Sequence, residues 1–543
     1  MAKTMKIYDN RKLMVALVFA VFIMLRLFVN SPNYFIGGDD AKYLELAKNF
    51  PSHTLDNKQL FLLHGPIYPY AIHFLSYLFE DYKAGIIISL LSSIVTFFVL
   101  YKLIMLLTKN FRIALVTLAL FSLSAENIFF SNYVQKEAFM LMLFSLSIYF
   151  YAKGLILDRK NMHIAAFFGA ITALTTDHVV FLIASFIAAY IIFRNDKIKL
   201  RQALIPVVLT IIFYSFILIT RVYVYTHNGY YPTGVDGVIE KVSDFGARQI
   251  FAPAFFPETM ELVFSKSSIL VNALFIFGYM FNIVPFIIPS ALNRNTIGTL
   301  FSDNMTLFFT IIKLAIYLAL FFFFIYGIYH LFNQLKNKKT KNNANLFMLF
   351  IFLFFMFPVT QRITTIRMVL MATIPLYYFI AFGIDKISFS NSLRKYFSFI
   401  MIIILLASPI YWVFNNRNFI LANGKLVEAG NTAVFLNSLP GEGVISQVGY
   451  SPELNYQTGK RIITMPSDPA NLYWILKEYK ISYLLYGQRY WEKFSENNKG
   501  SVFNYDTINH IRENPQKFRL LKVIEEDYGS FGSDEVYVYE FVD

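Results

Sequence analysis

The chain has 543 residues, of which 56% are hydrophobic and only 15% charged, and its mean hydropathy is +0.50. Soluble domains carry about 25% charged residues, so a soluble globule of this length is excluded. The absence of cysteine rules out disulfides, thiolate metal sites and thiol nucleophiles. The formal charge of +13 sits in short Lys and Arg clusters between apolar runs, which is the signature of membrane topology and not of nucleic-acid binding.

A helix needs about 20 apolar residues to cross the hydrocarbon core. On that ruler the candidate spans are 13–29, 84–107, 111–126, 137–154, 162–176, 179–193, 202–220, 305–332, 344–360, 367–385 and 397–414, eleven in all. Lys3, Lys6, Arg11 and Lys12 precede the first, and no small-residue cleavage site follows it, so it is expected to stay as an anchor with a cytoplasmic N-terminus. Strict alternation then places four more basic groups inside: Lys102, Lys109 and Arg112; Lys153, Arg159 and Lys160; Arg194, Lys197, Lys199 and Arg201; and Lys336, Lys338, Lys339 and Lys341. Segment 267–289 would invert that order if it crossed, and it is read as a re-entrant or interfacial hairpin broken at Pro285 and Pro289.

The outer face then holds loop 30–83, turn 126–136, loop 221–266 and everything beyond Trp412. From about Asn415 apolar runs shorten and charges of both signs mix; VISQV, RIITM, ISYLLYG and VYVYEFV read as strands, with PANLYWILKEYK helical between them. The predicted architecture is a polytopic α-helical membrane protein over 1–414 with a small extracytoplasmic α/β domain of two or three layers over 415–543. No internal repeat is present, which weakens a transporter built from inverted halves.

Acidic residues avoid the span centres and collect at the ends assigned to the outer face: Asp39, Asp40, Glu126, Glu137 and Asp177, the last beside His178. Asp39 and Asp40 follow the flexible Gly37-Gly38 pair and open AKYLELAKNF, where Tyr43, Leu46 and Ala47 are spaced for an amphipathic helix lying on the membrane. Their alternative role is a helix N-cap, worth about 1 kcal/mol. Glu137 opens the fourth span, where a carboxylate is favoured by the helix dipole whatever its role. His178 suits a capping residue better than a metal ligand, since no HExxH or similar spacing accompanies it. Arg362 and Arg367 stand at an outward span boundary, where a guanidinium can grip a phosphate or simply snorkel. Lys58, His64, Arg221 and Arg248 are on the same side. Carboxylates together with arginines suit a substrate with a phosphate leaving group and an acceptor to be deprotonated, as in a lipid-linked sugar phosphate.

The ordered segments GGDDAKYLELAKNF, HGPIYPY, NYVQKEAFMLMLFSLSIYFYAKG and RMVLMATIPLYYFIAFGIDKI resemble the GT-C class of membrane glycosyltransferases. The likeness is to the family of dolichyl-phosphate-mannose protein mannosyltransferases and aminoarabinose lipid A transferases, and it runs from the N-terminus to about residue 390. The tail NYQTGKRIITMPSDPANLYWILKEYKISYLLYG is similar to the extracytoplasmic domain of many prokaryotic members. The resemblance implies a polyprenyl-phosphate-linked sugar donor, inversion at the anomeric carbon and an acidic general base in the first outer loop. Asp39 matches the loop aspartate, Asp40 stands where many members have Glu, Glu137 matches the acid that opens the fourth span, and Arg367 matches the arginine before the Pro-containing span. His64 departs from the basic residue common before the Pro-x-Tyr-Pro segment, and Asp177-His178 replaces a frequent Arg-Pro pair.

The expected site is thus Asp39, Asp40 and Glu137 as catalytic carboxylates, with Arg362, Arg367, Lys58 and His64 around the donor phosphate. No cofactor is required by the residues; a divalent metal is left open, with Asp39 and Glu137 its ligands if present. The acceptor is a lipid, a glycan or a protein, the location the cell membrane, and nucleic acid is no partner. A lipid-linked glycan transporter or polymerase is the alternative, and a non-catalytic scaffold the third reading.

Overall fold

The computed structural model describes residues 2–29, 43–44, 46–48, 65–176, 178–193, 200–227, 319–334, 343–356, 370–387, 431–441, 443–446, 458, 460–465, 469–478, 480–487, 505–527 and 533–542. Asp39, Asp40, Lys58, His64, Asp177, Arg248, Arg362, Arg367, segment 267–289 and span 397–414 lie outside them. The chain forms two compact units, one of Met1–Val29, Phe61–Ala71 and Lys83–Phe414, the other of Asn30–Leu60, Ile72–Tyr82 and Asn415–Asp543.

The helices of the first unit follow the apolar runs. They are α1 (Ala2–Val29), α2 (Ile67–Ser76, whose last turns belong to the second unit), α3 (Asp81–Thr108), α4 (Phe111–Leu123) and α5 (Ala125–Phe130), then α6 (Lys136–Ile156), α7 (Asn161–Ala173), α8 (Val179–Phe193) and α9 (Leu200–His227). After these come α10 (Ala319–Gln334), α11 (Asn343–Met356) and α12 (Thr373–Lys386), the last preceded by a 3-10 turn over Leu370–Ala372. Among the described residues three helices are long and apolar enough to cross a membrane: Asp81–Thr108, Lys136–Ile156 and Leu200–Thr220. The 13-residue α7 is about 20 Å long at 1.5 Å per residue, short of a core about 30 Å thick.

Polar side chains inside this unit are absorbed locally. Ser92, Thr96, Thr117, Ser122, Ser147, Thr172, Ser185 and Thr210 donate back to the carbonyl four residues earlier, at 2.6 to 2.8 Å. Glycine lets two helices touch backbone to backbone: a Cβ on Gly383 of α12 would collide with the carbonyl of Phe323 in α10, and one on Gly327 with that of Phe379. The same helices share a polar bridge, in which Tyr378 Oη donates to Asn345 Oδ1 and Asn345 Nδ2 donates to Gln334 Oε1 at 3.2 Å.

Two expectations are corrected. The span expected over 111–126 stops at Leu123, because Ser124 turns extended (φ −64°, ψ 118°) and its hydroxyl accepts from the Asn127 N–H at 3.4 Å, capping a new helix that carries Glu126 in its first turn. The helical residues Tyr43, Leu44, Leu46 and Ala47 are all at most 1% exposed, so protein covers them; they do not form a half-buried helix lying on lipid. His73 explains part of that, its Nδ1 meeting the Ala47 carbonyl at 2.8 Å while its Nε2 meets Tyr77 Oη at 3.2 Å.

In the second unit α13 (Asn431–Ser438), β1 (Gly443–Ser446), β2 (Arg461–Thr464), α14 (Pro469–Glu478), β3 (Tyr483–Gly487), α15 (Tyr505–Glu513), β4 (Phe518–Asp527) and β5 (Ser533–Phe541) build one sheet of order β2-β1-β3-β5-β4. Its first three strands are parallel, and β5 runs antiparallel to both β3 and β4. One face buries Ile445, Leu484, Tyr486 and Tyr539 against Leu472, Leu476, Ile508 and Ile511 of α14 and α15; the other buries Val444, Leu485 and Val538 against Ala433 and Leu436 of α13. Three layers result. The strand β4 was not among those read from sequence. Its register shifts between Leu520 and Lys522, which breaks the alternation and leaves Leu520 and Val523 over 40% exposed.

Candidate active site

Glu137 lies in the first turn of α6, buried, two residues after the N-cap residue Gln135. Gln135 makes no side-chain cap hydrogen bond. Two other helices reach this turn. Ser89 Oγ of α3 donates to the Gln135 carbonyl at 3.4 Å and lies 3.1 Å from Tyr68 Oη of α2. A carbonyl only accepts, so the single Ser89 hydrogen points to Gln135, and Tyr68 donates to Ser89. The Tyr68 ring packs on Phe139 at 5.7 Å between centroids. Gly85 of α3 lets the loop before α6 come close, since a Cβ there would meet Val134 Cγ1 at 2.6 Å.

The turn between α7 and α8 reaches the same segment. Gly65, next to His64 and at the start of the Pro-x-Tyr-Pro segment, adopts φ +78° and presses on the carbonyls of Leu174 and Thr175. The structure thus brings Gly65 against Leu174 and Thr175, and Tyr68 against the opening of α6. The His178 Nδ1 lies 2.8 Å from Thr176 Oγ1 at the start of α8, a local bond that fits the capping role. The 3-10 turn Leu370–Ala372, three residues after Arg367, packs against α6. Among the described residues no three His, Asp or Glu side chains converge as metal ligands.

One charged residue was missed. Arg26 of α1 is fully buried, its guanidinium 3.5 Å above the Phe22 ring, donating from Nε to Ser93 Oγ (3.3 Å) and from Nη1 to the carbonyls of Phe22 (3.1 Å) and Ser122 (3.3 Å). The signal was present: a lone arginine inside the apolar run VALVFAVFIMLRLFV.

Residues 63–220 match the family model described as dolichyl-phosphate-mannose-protein mannosyltransferase, a stretch that contains His64, Tyr68, Glu137 and His178. Among solved structures, ArnT from Cupriavidus metallidurans bound to undecaprenyl phosphate superposes with a TM-score of 0.54, at 10% identity over 96% of this chain and 97% of that one. The fold is that of the GT-C class. A second GT-C structure, the oligosaccharyltransferase of Archaeoglobus fulgidus in complex with Zn and sulfate, aligns with a TM-score of 0.49 and 14% identity over 87% of this chain and 69% of its own. No curated protein sequence matches the chain. Within the GT-C fold seen here, Glu137 is the described member of the expected carboxylate set.

Proposed function

We propose that the chain is an inverting glycosyltransferase that moves a sugar from a polyprenyl-phosphate donor to a lipid, glycan or protein acceptor at the outer face of the cell membrane. The observation that carries this reading is Glu137: a carboxylate buried at the start of a helix, inside the segment that matches the mannosyltransferase family model. Burying a carboxylate costs several kcal/mol unless its surroundings are built for it, and such groups concentrate at functional sites. Ser89, Tyr68 and the close approach at Gly85 hold Val134 and Gln135, which lead into the turn carrying Glu137.

In this reading Asp39 takes the acceptor proton while the acceptor attacks the anomeric carbon from the face opposite the phosphate. Arg362 and Arg367 hold the departing phosphate, with Lys58 and His64 beside it, and Asp40 and Glu137 complete the acidic wall. The neighbour bound to undecaprenyl phosphate agrees with the donor class. A divalent ion, where one binds, would be held by Asp39 and Glu137 and would neutralise charge on the donor phosphate.

The test is sugar release from a radiolabelled panel of polyprenyl-phosphate sugars by purified wild type, Asp39→Asn and Glu137→Gln, with and without EDTA. Turnover of one donor by wild type, lost in Asp39→Asn by about 100-fold or more, is the expected result. Full activity in Asp39→Asn removes the base assignment. Movement of an intact lipid-linked glycan across sealed vesicles, with no release, transfers the reading to a transporter.

A further inference from the structure

We infer that Tyr68 is a positioning residue for Glu137, acting through Ser89 and the main chain of Gln135. The inference rests on the reading of Glu137 as a catalytic carboxylate. A helix whose N-cap is Ser, Thr, Asp or Asn fixes its own first turn with a side-chain bond. The N-cap of α6 is Gln135, which makes none, so tertiary contacts at Gln135 bear on the direction of that turn. Those contacts form a relay of fixed polarity, Tyr68 Oη to Ser89 Oγ to the Gln135 carbonyl, which spans three helices. Tyr68 and Ser89 are each 0% exposed, so water does not compete for either hydroxyl. The Tyr68 ring also packs, tilted, against Phe139, two residues beyond Glu137, so one side chain reaches α6 through a polar relay on one side of Glu137 and through a ring on the other.

A shift of about 1 Å in a reacting group can cost a hundredfold in rate. Tyr68→Phe keeps the ring contact and removes only the hydroxyl. The expected outcome is a drop in kcat of about tenfold with donor KM within about twofold of wild type, since the donor contacts are untouched. In a Glu137→Gln background, Tyr68→Phe should produce no further loss, because the group it positions is gone. A full additional loss in that background overturns the inference.

A second readout does not depend on turnover. Dicyclohexylcarbodiimide modifies buried carboxyl groups, and its rate at Glu137 is read by mass spectrometry of the peptide that carries it. Tyr68→Phe and Ser89→Ala should both change that rate several-fold; an unchanged rate in both overturns the inference. This readout decides wherever Glu137→Gln leaves too little turnover to measure. A changed labelling rate in a protein that transfers no sugar from any donor removes the glycosyltransferase reading and leaves the positioning role of Tyr68 standing.

Discussion

Gly65 is pressed against the backbone of Thr175. With φ +78° it occupies the left-handed region, and a Cβ on it would meet the Thr175 carbonyl oxygen at 2.5 Å and that of Leu174 at 2.7 Å. Both constraints demand glycine, one conformational and one steric. The contact joins the segment that enters α2 to the turn between α7 and α8.

Gly65→Ala should therefore destabilise the protein by about 3 kcal/mol, roughly 1 from left-handed strain and the rest from backbone collision. Gly441→Ala is the control. Its φ is +88°, yet the nearest atom to an added Cβ is Tyr483 Cε2 at 3.9 Å, so only the strain of about 1 kcal/mol should appear. Thermal unfolding of the full chain in detergent measures both. Equal losses at the two positions would show that the Thr175 contact yields freely.

At Arg26 the magnitudes choose between two substitutions. Arg26→Lys keeps a buried charge but lacks the fork that reaches Ser93, Phe22 and Ser122 together, and a poorly compensated buried charge costs about 3–5 kcal/mol. Arg26→Met removes the charge, fills similar volume and leaves the Ser122 carbonyl short of a donor, at about 1–3 kcal/mol. Arg26→Met should be the more stable variant by thermal unfolding in detergent. The reverse order would mean that a cation as such is needed at this position.

The α/β unit should weaken in alkali. Burial, and then the hydrogen bond with Tyr539, push the Tyr486 phenol above its ordinary value of 10.0. The folded form therefore holds its proton where the unfolded chain has lost it. The stabilisation is complete below pH 10 and is lost as pH climbs from that value toward the folded pKa. Tyr486→Phe cannot ionise, so it should flatten the decline; alkaline unfolding followed by circular dichroism, with phenolate absorbance alongside, measures it. An unchanged alkaline slope would place the titration elsewhere.

Much of the architecture was legible because its signal is local. An apolar run of given length in lipid has few options besides a helix, so the helices α3, α6 and α9 lie where the hydropathy put them. Strands β1, β2, β3 and β5 were visible as short β-branched and aromatic runs. Strand β4 was not, because the bulge after Leu520 destroys the period on which such a reading depends. The break at Ser124 was missed because the apolar run that precedes it resumes at Ile128, and one hydroxyl on one N–H marks the start of a new helix.

From the sequence alone came the membrane class, the positions of the apolar helices and Glu137 as a carboxylate of interest, since hydropathy and charge placement act over a few residues. The tertiary structure alone decided that Tyr68 and Ser89 reach the N-cap of α6, that Gly65 meets Thr175, that Arg26 is enclosed by Phe22, Ser93 and Ser122, and that the sheet runs β2-β1-β3-β5-β4. Each of these joins residues far apart along the chain. Hydropathy and charge specify that such groups must be buried and satisfied, but the partner is chosen only when helices pack and the available donors, acceptors and gaps are counted across all of them.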